Sequence, residues 1–177
     1  MLPNPLHPAV VHFPVVLAFL LPLFVGGALW AIRRGANARR AWLVPLAVAV
    51  ALSLSAWAAV QTGGAQGERV ERVVSEQAIK SHEEMAEAFL AVSAALAVVA
   101  FAGMVGGMAG KTARIVTGVG SLAVVGFVAV VGHSGGQLVY RYGAASAYTS
   151  QSRTSSGEVG ADTLVRRTNQ GGGGDER

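Results

Sequence analysis

The stretch AVVHFPVVLAFLLPLFVGGALWAI at residues 9–32 decides the fold, because its only ionisable side chain is that of His12. A helix needs about 20 consecutive apolar residues to cross the hydrocarbon core of a bilayer. Three more stretches of similar length are almost free of charge, at residues 41–61, 85–109 and 113–139. We therefore predict an all-α integral membrane protein, a bundle of four transmembrane helices.

The composition agrees with this prediction and excludes several classes of function. Hydrophobic residues make up 52% of the 177 residues and charged residues only 14%, whereas a soluble domain carries about 25% charge. The absence of cysteine excludes disulfides and thiolate metal sites. The net charge of +4 comes from basic residues in short loops, so we expect no nucleic-acid binding.

The orientation follows from the loop RRGANARR at residues 33–40, which holds four arginines and no acid. Basic residues in short loops stay in the cytoplasm, so both termini are expected outside. Trp30 and Trp42 flank this loop and suggest an inner aromatic belt, and Tyr140 and Tyr142 suggest an outer one.

The third span is expected to begin near His82, because Ser81 and Glu84 have the spacing of a capping box. The segment GERVERVVSEQAIK at residues 67–80 precedes it. Its valines share one helical face, so it is either a short amphipathic helix on the outer surface or a solvated extension of the third span.

Glycines and prolines mark features within the spans. The end of the third stretch, GMVGGMAG at residues 103–110, contains two GxxxG pairs, which favour close helix packing inside the bundle or a dimer face. Pro14 and Pro22 are expected to kink the first span.

The chain divides into the transmembrane domain, residues 1–143, and a tail, residues 144–177. The tail is polar and rich in glycine and serine. Such a segment cannot bury enough apolar surface to fold alone. We predict an external tail that is disordered or ordered only against a partner.

All four histidines of the chain fall at one end of the predicted bundle. A rise of about 1.5 Å per residue places His7 and His82 near the outer surface, and His12 and His133 roughly 8 Å deeper. Polar side chains inside membranes are costly and usually mark function. The histidines are therefore the candidate site.

Three interpretations of these histidines are open. His12 and His133 could be the axial ligands of a b-type haem, since imidazole is a good iron ligand. Alternatively His7, His12, His82 and His133 could ligate a transition metal such as copper or zinc, supported by Glu83, Glu84 or Glu87. In the third interpretation each imidazole only forms a hydrogen bond to a backbone carbonyl or a neighbouring helix.

Two sequence blocks carry a resemblance to known proteins. LHPAVVHFPVVLAFL at residues 6–20 and GHSGGQLVYRYG at residues 132–143 resemble a widespread bacterial family of small four-span membrane proteins of unknown function. Its recurring features look like HP-x-x-VHFP, a histidine opening the third span, and GH-x-GG-x-LVY-x-YG. These features map here onto His7, Pro8, His12, Phe13 and Pro14, onto His82, and onto residues 132–143 from Gly132 to Gly143.

The resemblance covers residues 6–143 and implies a location in the bacterial inner membrane, with both termini periplasmic or extracellular. Some relatives are joined to c-type cytochrome segments, which implies a redox neighbourhood. A TG-x-x-D motif often follows the second span in the family. Here Thr62-Gly63-Gly64 keeps the threonine and glycine of this motif but lacks its acid. The resemblance therefore gives no secure role to the residues that follow the second span.

Two functional hypotheses follow, and neither includes independent catalysis. The first is a redox-associated membrane subunit that binds haem b and exchanges electrons with a cytochrome or another membrane subunit. The second is a structural subunit packed against a larger respiratory or photosynthetic complex. Ser134 follows His133, but no acid or oxyanion-hole pattern accompanies it, so a serine hydrolase is not expected.

Overall fold

The computed structural model describes residues 7–70, 74–144 and 146, and these contain only α-helices and the turns between them. The helices are α1 (His7–Val10), α2 (His12–Arg33), α3 (Ala38–Val70), α4 (Glu76–Ala102) and α5 (Gly107–Tyr140). Helices α1 and α2 together form one span, so the described residues hold four helices long and apolar enough to cross a membrane. The predicted four-span, all-α fold is confirmed.

The four long helices form a closed ring in which each packs against the next and α5 packs back against α2. The connections α2–α3 and α4–α5 are short, so neighbouring helices run antiparallel. We call one end the arginine end, with Arg33, Arg40, Trp42 and Arg114. We call the other the histidine end, with His7, His12, His82 and His133.

The buried positions repeat with alternating steps of three and four residues. In α3 the buried side chains are those of Trp42, Pro45, Ala49, Leu52, Ala56 and Ala59. This seven-residue period keeps one seam of each helix facing the bundle axis and is typical of left-handed packing. The core between the helices is continuous from Trp42 to Phe89.

The interior holds small and polar residues, while many large apolar residues point outward. Thr117 and Ser121 are fully buried, and their hydroxyls donate to carbonyls of their own helix. Leu23 and Val98, in contrast, are 69% and 70% exposed. Exposed apolar surface on every helix suits lipid rather than water. The outward faces are therefore the lipid-facing surface of a membrane protein.

Pro14 interrupts the first span near its N-terminal end. A proline has no N–H to donate to the carbonyl four residues before it, here Val10. Helix α1 ends at Val10, and α2 begins at His12. Pro22 lies inside α2, and the helix continues through it.

The turn between the third and fourth spans lies earlier than predicted. Helix α4 ends at Ala102 and α5 begins at Gly107, whereas the sequence suggested a span to residue 109 and a turn around Lys111. Gly107 has a φ of +73°, which requires glycine in practice. The two GxxxG pairs therefore do not lie on one continuous helix, because the turn interrupts them. Gly103 nevertheless packs directly against the Trp42 indole and Gly110 against the backbone of Val105, so these two glycines do allow close packing inside the bundle.

The start of the third span was also predicted wrongly. Helix α4 begins at Glu76, with Ser75 as its N-cap residue, so Ser81 lies within the helix and the capping box does not form. The segment at residues 67–80 forms no separate surface helix in its described part. Residues 67–70 continue α3, the second span, and residues 76–80 form the start of α4. Only this second part fits the predicted extension of the third span.

The arginine end is held together by hydrogen bonds from two side chains, those of Trp42 and Arg114. Trp42 is fully buried, and its indole Nε1–H donates to the carbonyl of Ala100 at 2.8 Å, so it is a core residue and not part of an aromatic belt. Arg114 is only 8% exposed. Its guanidinium donates to the carbonyls of Gly103 and Val105 at 2.8 and 3.2 Å.

These bonds satisfy carbonyls at the C-terminal end of α4, where no further backbone N–H is in line to bind them. The positive guanidinium also lies where the helix dipole is negative. Trp30 remains exposed at this end, as a belt residue would be. The predicted external tail, residues 144–177, lies outside the described residues except for Ala144 and Ser146.

Candidate cofactor site at the histidine end

His7 is fixed by the second span. Its Nδ1 lies 2.9 Å from the carbonyl oxygen of Ala59 and 3.3 Å from the hydroxyl of Thr62. A carbonyl oxygen can only accept, so Nδ1 carries the proton and Nε2 keeps a free lone pair. The imidazole is therefore held in one tautomer and one orientation.

His82 is fixed in the same way by the fourth span. Its Nδ1 lies 2.8 Å from the Oγ of Ser134, whose hydroxyl donates to the carbonyl of Val131 at 2.8 Å. A hydroxyl has a single proton, so Ser134 must accept from His82. His82 thus also holds its proton on Nδ1 and leaves Nε2 free.

The two imidazoles lie side by side. Their ring centres are 6.5 Å apart and their planes are inclined by 80°. Neither Nε2 has a hydrogen-bond partner within the described part of the chain. Every buried side-chain nitrogen or oxygen in that part has a partner, so both Nε2 atoms reach open space.

A glycine supports each ring from behind. A Cβ at Gly63 would lie 3.1 Å from the Cε1 of His7, and a Cβ at Gly135 would lie 3.1 Å from the Cε1 of His82. Both distances are tighter than ordinary contacts between carbon atoms. Side chains at these positions would push the rings away, so the glycines let α3 and α5 approach them.

The open space beside the rings is an apolar cavity of about 310 Å³. His7, His12 and His82 supply its imidazoles, and side chains such as Val15, Phe89 and Val128 supply most of the rest. Half of the lining positions on α5 are glycines, namely Gly132, Gly135 and Gly136. Ligand cavities range from about 300 to 1,000 Å³, so this one is large enough for part of a flat ring system.

His12 lines the same cavity from the start of α2. Its Nδ1 lies 2.7 Å from the carbonyl oxygen of Pro8, to which it donates. The imidazole as a whole is exposed. His12 thus repeats the pattern of a protonated Nδ1 with an unused Nε2, at the lipid-facing side of the cavity.

His133 is the one histidine that does not line the cavity. It is exposed, and its Nε2 accepts a hydrogen bond of 3.0 Å from the side-chain amide of Gln137 on the same helix. The structure brings His7 and His82 together as their depths suggested. The binding of haem by His12 and His133 stays a prediction.

The carboxylates proposed as supporting ligands do not enter the cavity. Glu83, Glu84 and Glu87 are absent from its lining, and Glu84 and Glu87 are exposed. No group of three or more histidine, aspartate or glutamate side chains in the described part of the chain is placed to hold one metal ion. The metal site of all four histidines therefore also stays a prediction.

A second cavity of about 320 Å³ lies on another side of His82. Its lining is polar and includes Ser81, Ser134 and Gln137. His82 is shared by both cavities. His82 thus borders both an apolar and a polar space.

Four residues of the site did not stand out as functional in the sequence. Thr62 and Gly63 contact His7, and Ser134 and Gly135 contact His82. The signal was their place in the two blocks that carry glycines beside polar residues, Thr62-Gly63-Gly64 and Gly132–Gly136. Glycine inside a membrane helix often marks a close approach, and the approach here is that of an imidazole.

The chain belongs to the family described as "Predicted membrane protein (DUF2231)", whose model matches residues 3–147. The resemblance seen in the opening and closing blocks is thereby confirmed. No curated protein and no solved structure matches the chain significantly. The chain is a membrane protein of this family.

Proposed function

We propose that this protein is an electron-transfer subunit of the bacterial inner membrane that holds one b-type haem at the histidine end, with His7 and His82 as axial ligands. The observation that carries the proposal is the pair of anchored imidazoles. Each donates its Nδ1–H to a fixed acceptor and leaves Nε2 free beside one cavity. Histidines that ligate metals are oriented in this way.

The number of ligands favours haem over a mononuclear metal ion. Structural zinc takes four protein ligands and catalytic zinc three, and the described residues hold no such group. A porphyrin brings four nitrogens of its own, so the protein needs to supply only the axial positions. Two imidazoles are therefore sufficient.

The separation of the rings also suits a shared iron. With metal–nitrogen bonds of about 2 Å, two imidazoles on opposite sides of one ion have ring centres roughly 6 Å apart. The rings of His7 and His82 are 6.5 Å apart. The separation of the ring centres is therefore compatible with two imidazoles on one iron.

The surroundings favour a large apolar group. The cavity walls are mostly aliphatic, and the glycines of α5 leave space where side chains would otherwise project. Built Cβ atoms at Gly132 and Gly136 would meet nothing within 4 Å. The exposed residues Pro8 and Gly132 at the rim leave the edge of a macrocycle free to extend toward lipid.

Among the four histidines, His7 and His82 support the proposal better than the pair His12 and His133. His133 lies outside the cavity and is bound to Gln137. His12 lines the cavity from an exposed position. Its free Nε2 makes it a neighbour of the bound group rather than a required ligand.

The test is the absorption spectrum of the purified full-length protein, oxidised and then reduced. We expect a Soret band and reduced α and β bands of a low-spin bis-histidine haem. His7→Ala and His82→Ala should each remove at least nine-tenths of the bound haem while helicity is retained. His133→Ala is the matched control and should keep the wild-type spectrum.

Other outcomes would contradict the proposal. A colourless protein without iron, expressed with sufficient haem, would favour the structural-subunit hypothesis. If haem is lost in His12→Ala and His133→Ala, but not in His7→Ala and His82→Ala, the axial ligands are His12 and His133, as their depths in the spans predict. Copper or zinc bound in stoichiometric amount would show that the site holds a metal ion and not a haem.

A further inference from the structure

The polar cavity beside His82 has a distinct chemistry. Seven of its ten lining residues carry polar side chains, and His82 is the only ionisable one apart from a tyrosine. The polar residues are Ser75, Gln77, Ser81, His82, Ser134, Gln137 and Tyr142. Carboxylates, lysine and arginine, which would select a cation or an anion, are absent from this lining.

Several of these polar groups have no partner in the described part of the chain. Ser75 caps α4 without a side-chain hydrogen bond. Gln137 uses its amide nitrogen on His133, which leaves its carbonyl oxygen available. Gln77 and Ser81 are exposed, one turn apart on α4. Neutral donors and acceptors are therefore presented together.

The remaining lining residues are apolar. Ala78, Met85 and Leu138 contribute to the same wall, so the cavity offers flat apolar contact as well as hydrogen bonds. A ring with hydroxyl groups on its edge combines these two properties. A charged metabolite or a metal ion does not.

The position of the cavity links it to the proposed haem. His82 faces both cavities, and its hydrogen bond to Ser134 lies at their boundary. A molecule in the polar cavity would contact the imidazole that, under the proposed function, ligates the iron. Such a contact would give an electron a short path from the bound molecule to the iron.

We infer that the polar cavity binds a small neutral hydroquinone, which reduces the haem through His82. This inference depends on the proposed function. One hydroquinone gives up two electrons and two protons and becomes the quinone. The electrons reduce two ferric haems in successive encounters, and the protons pass to water at the exposed side of the cavity.

The experiment measures the rate of haem reduction by a short-chain ubiquinol analogue in the full-length protein in nanodiscs. Gln77→Leu and Ser81→Leu remove polar groups of the cavity without touching His7 or His82. We expect each to lower the second-order rate constant at least tenfold, with the Soret band and the rate of reduction by dithionite unchanged. Gln61→Leu, an exposed glutamine of α3 outside the cavity lining, should react like the wild type.

Equal rates in the wild type and both cavity variants would overturn the inference, as would an equal loss in Gln61→Leu. If the protein binds no haem, the proposed function fails, and equilibrium dialysis with the same hydroquinone then tests the cavity alone. Binding that is lost in Gln77→Leu and Ser81→Leu supports the cavity as a hydroquinone site. The absence of any binding overturns it.

Discussion

The two ends of the bundle use polar side chains in opposite ways. At the arginine end, Trp42 and Arg114 donate to backbone carbonyls and hold α3, α4 and α5 together. At the histidine end, His7 and His82 also donate one proton each to a fixed acceptor. Each of these imidazoles, however, keeps a second nitrogen that has no partner among the residues the structure describes, beside a cavity.

The difference distinguishes polar groups that stabilise the fold from polar groups that are available to a ligand. A buried polar group that is fully satisfied stabilises a fold and offers little to a ligand. A group that is anchored on one side and free on the other is preorganised for binding. Changes at the arginine end should therefore affect stability alone, and changes at the histidine end should affect cofactor binding as well.

The largest effect is expected from Gly110→Ala at the arginine end. The new Cβ would overlap the backbone oxygen of Val105, and backbone cannot rotate away. We expect a loss of about 3 kcal/mol in the free energy of unfolding, measured by circular dichroism during titration with SDS. The control is Gly106→Ala, where a Cβ meets nothing within 4 Å, and equal losses in both would show that the turn is not close-packed.

The next effect is that of Arg114→Met, which keeps the apolar stem and removes the guanidinium. The carbonyls of Gly103 and Val105 lose their donor. We expect a loss of about 2 kcal/mol in the same titration, with no change in haem content. Lys111→Met, an exposed lysine on the same helix, should change stability by less than about 0.5 kcal/mol. A stable Arg114→Met protein would mean that water replaces the guanidinium.

Ser134→Ala is expected to change stability less than Arg114→Met does, and to weaken haem binding as well. His82 loses its Nδ1–H acceptor, which should cost about 1 kcal/mol of stability. Removal of such an outer partner typically weakens metal binding about 10–100-fold, and haem titration of the apoprotein measures this. Ser93→Ala removes a buried hydroxyl that bonds only to its own helix. Equal haem affinities in the two variants would contradict a ligand role for His82.

The smallest effect is expected from alanine substitutions at two adjacent glycines, Gly135 and Gly136. A Cβ at Gly135 would lie 3.1 Å from the ring of His82, whereas one at Gly136 meets nothing within 4 Å. Within a helix, alanine is more favourable than glycine by about 0.5–1 kcal/mol. Gly136→Ala should therefore gain stability, and Gly135→Ala should lose this gain and shift the haem spectrum. Identical spectra for both variants would show that the ring is not held in place by α5.

Most of the fold could be predicted from apolar length alone. Each span exceeds what a bilayer requires, and no soluble alternative can cover so much apolar surface. The errors arose at the ends of helices: the third span was predicted to end at residue 109, whereas α4 already ends at Ala102 and α5 begins at Gly107. Local charge did not reveal that Arg114 folds back onto the end of α4.

The candidate site could be predicted in part. The depth of each histidine follows from its distance to the end of its span, which was enough to place His7 near His82. The sequence defines the rotation of each helix about its own axis less well, and in the first span Pro14 also interrupts the helix. The exposed position of His133 and the supporting contacts of Thr62 and Ser134 depend on that rotation and on neighbouring helices.

The length of α3 has a consequence for how the protein meets a partner. Its 33 residues extend about 50 Å, roughly 20 Å more than the hydrocarbon core of a bilayer. Arg39 and Arg40 stand at its first turn and anchor that end at the headgroups. The surplus turns therefore extend into and beyond the headgroup region of the opposite leaflet, where a water-soluble partner would reach them without entering lipid.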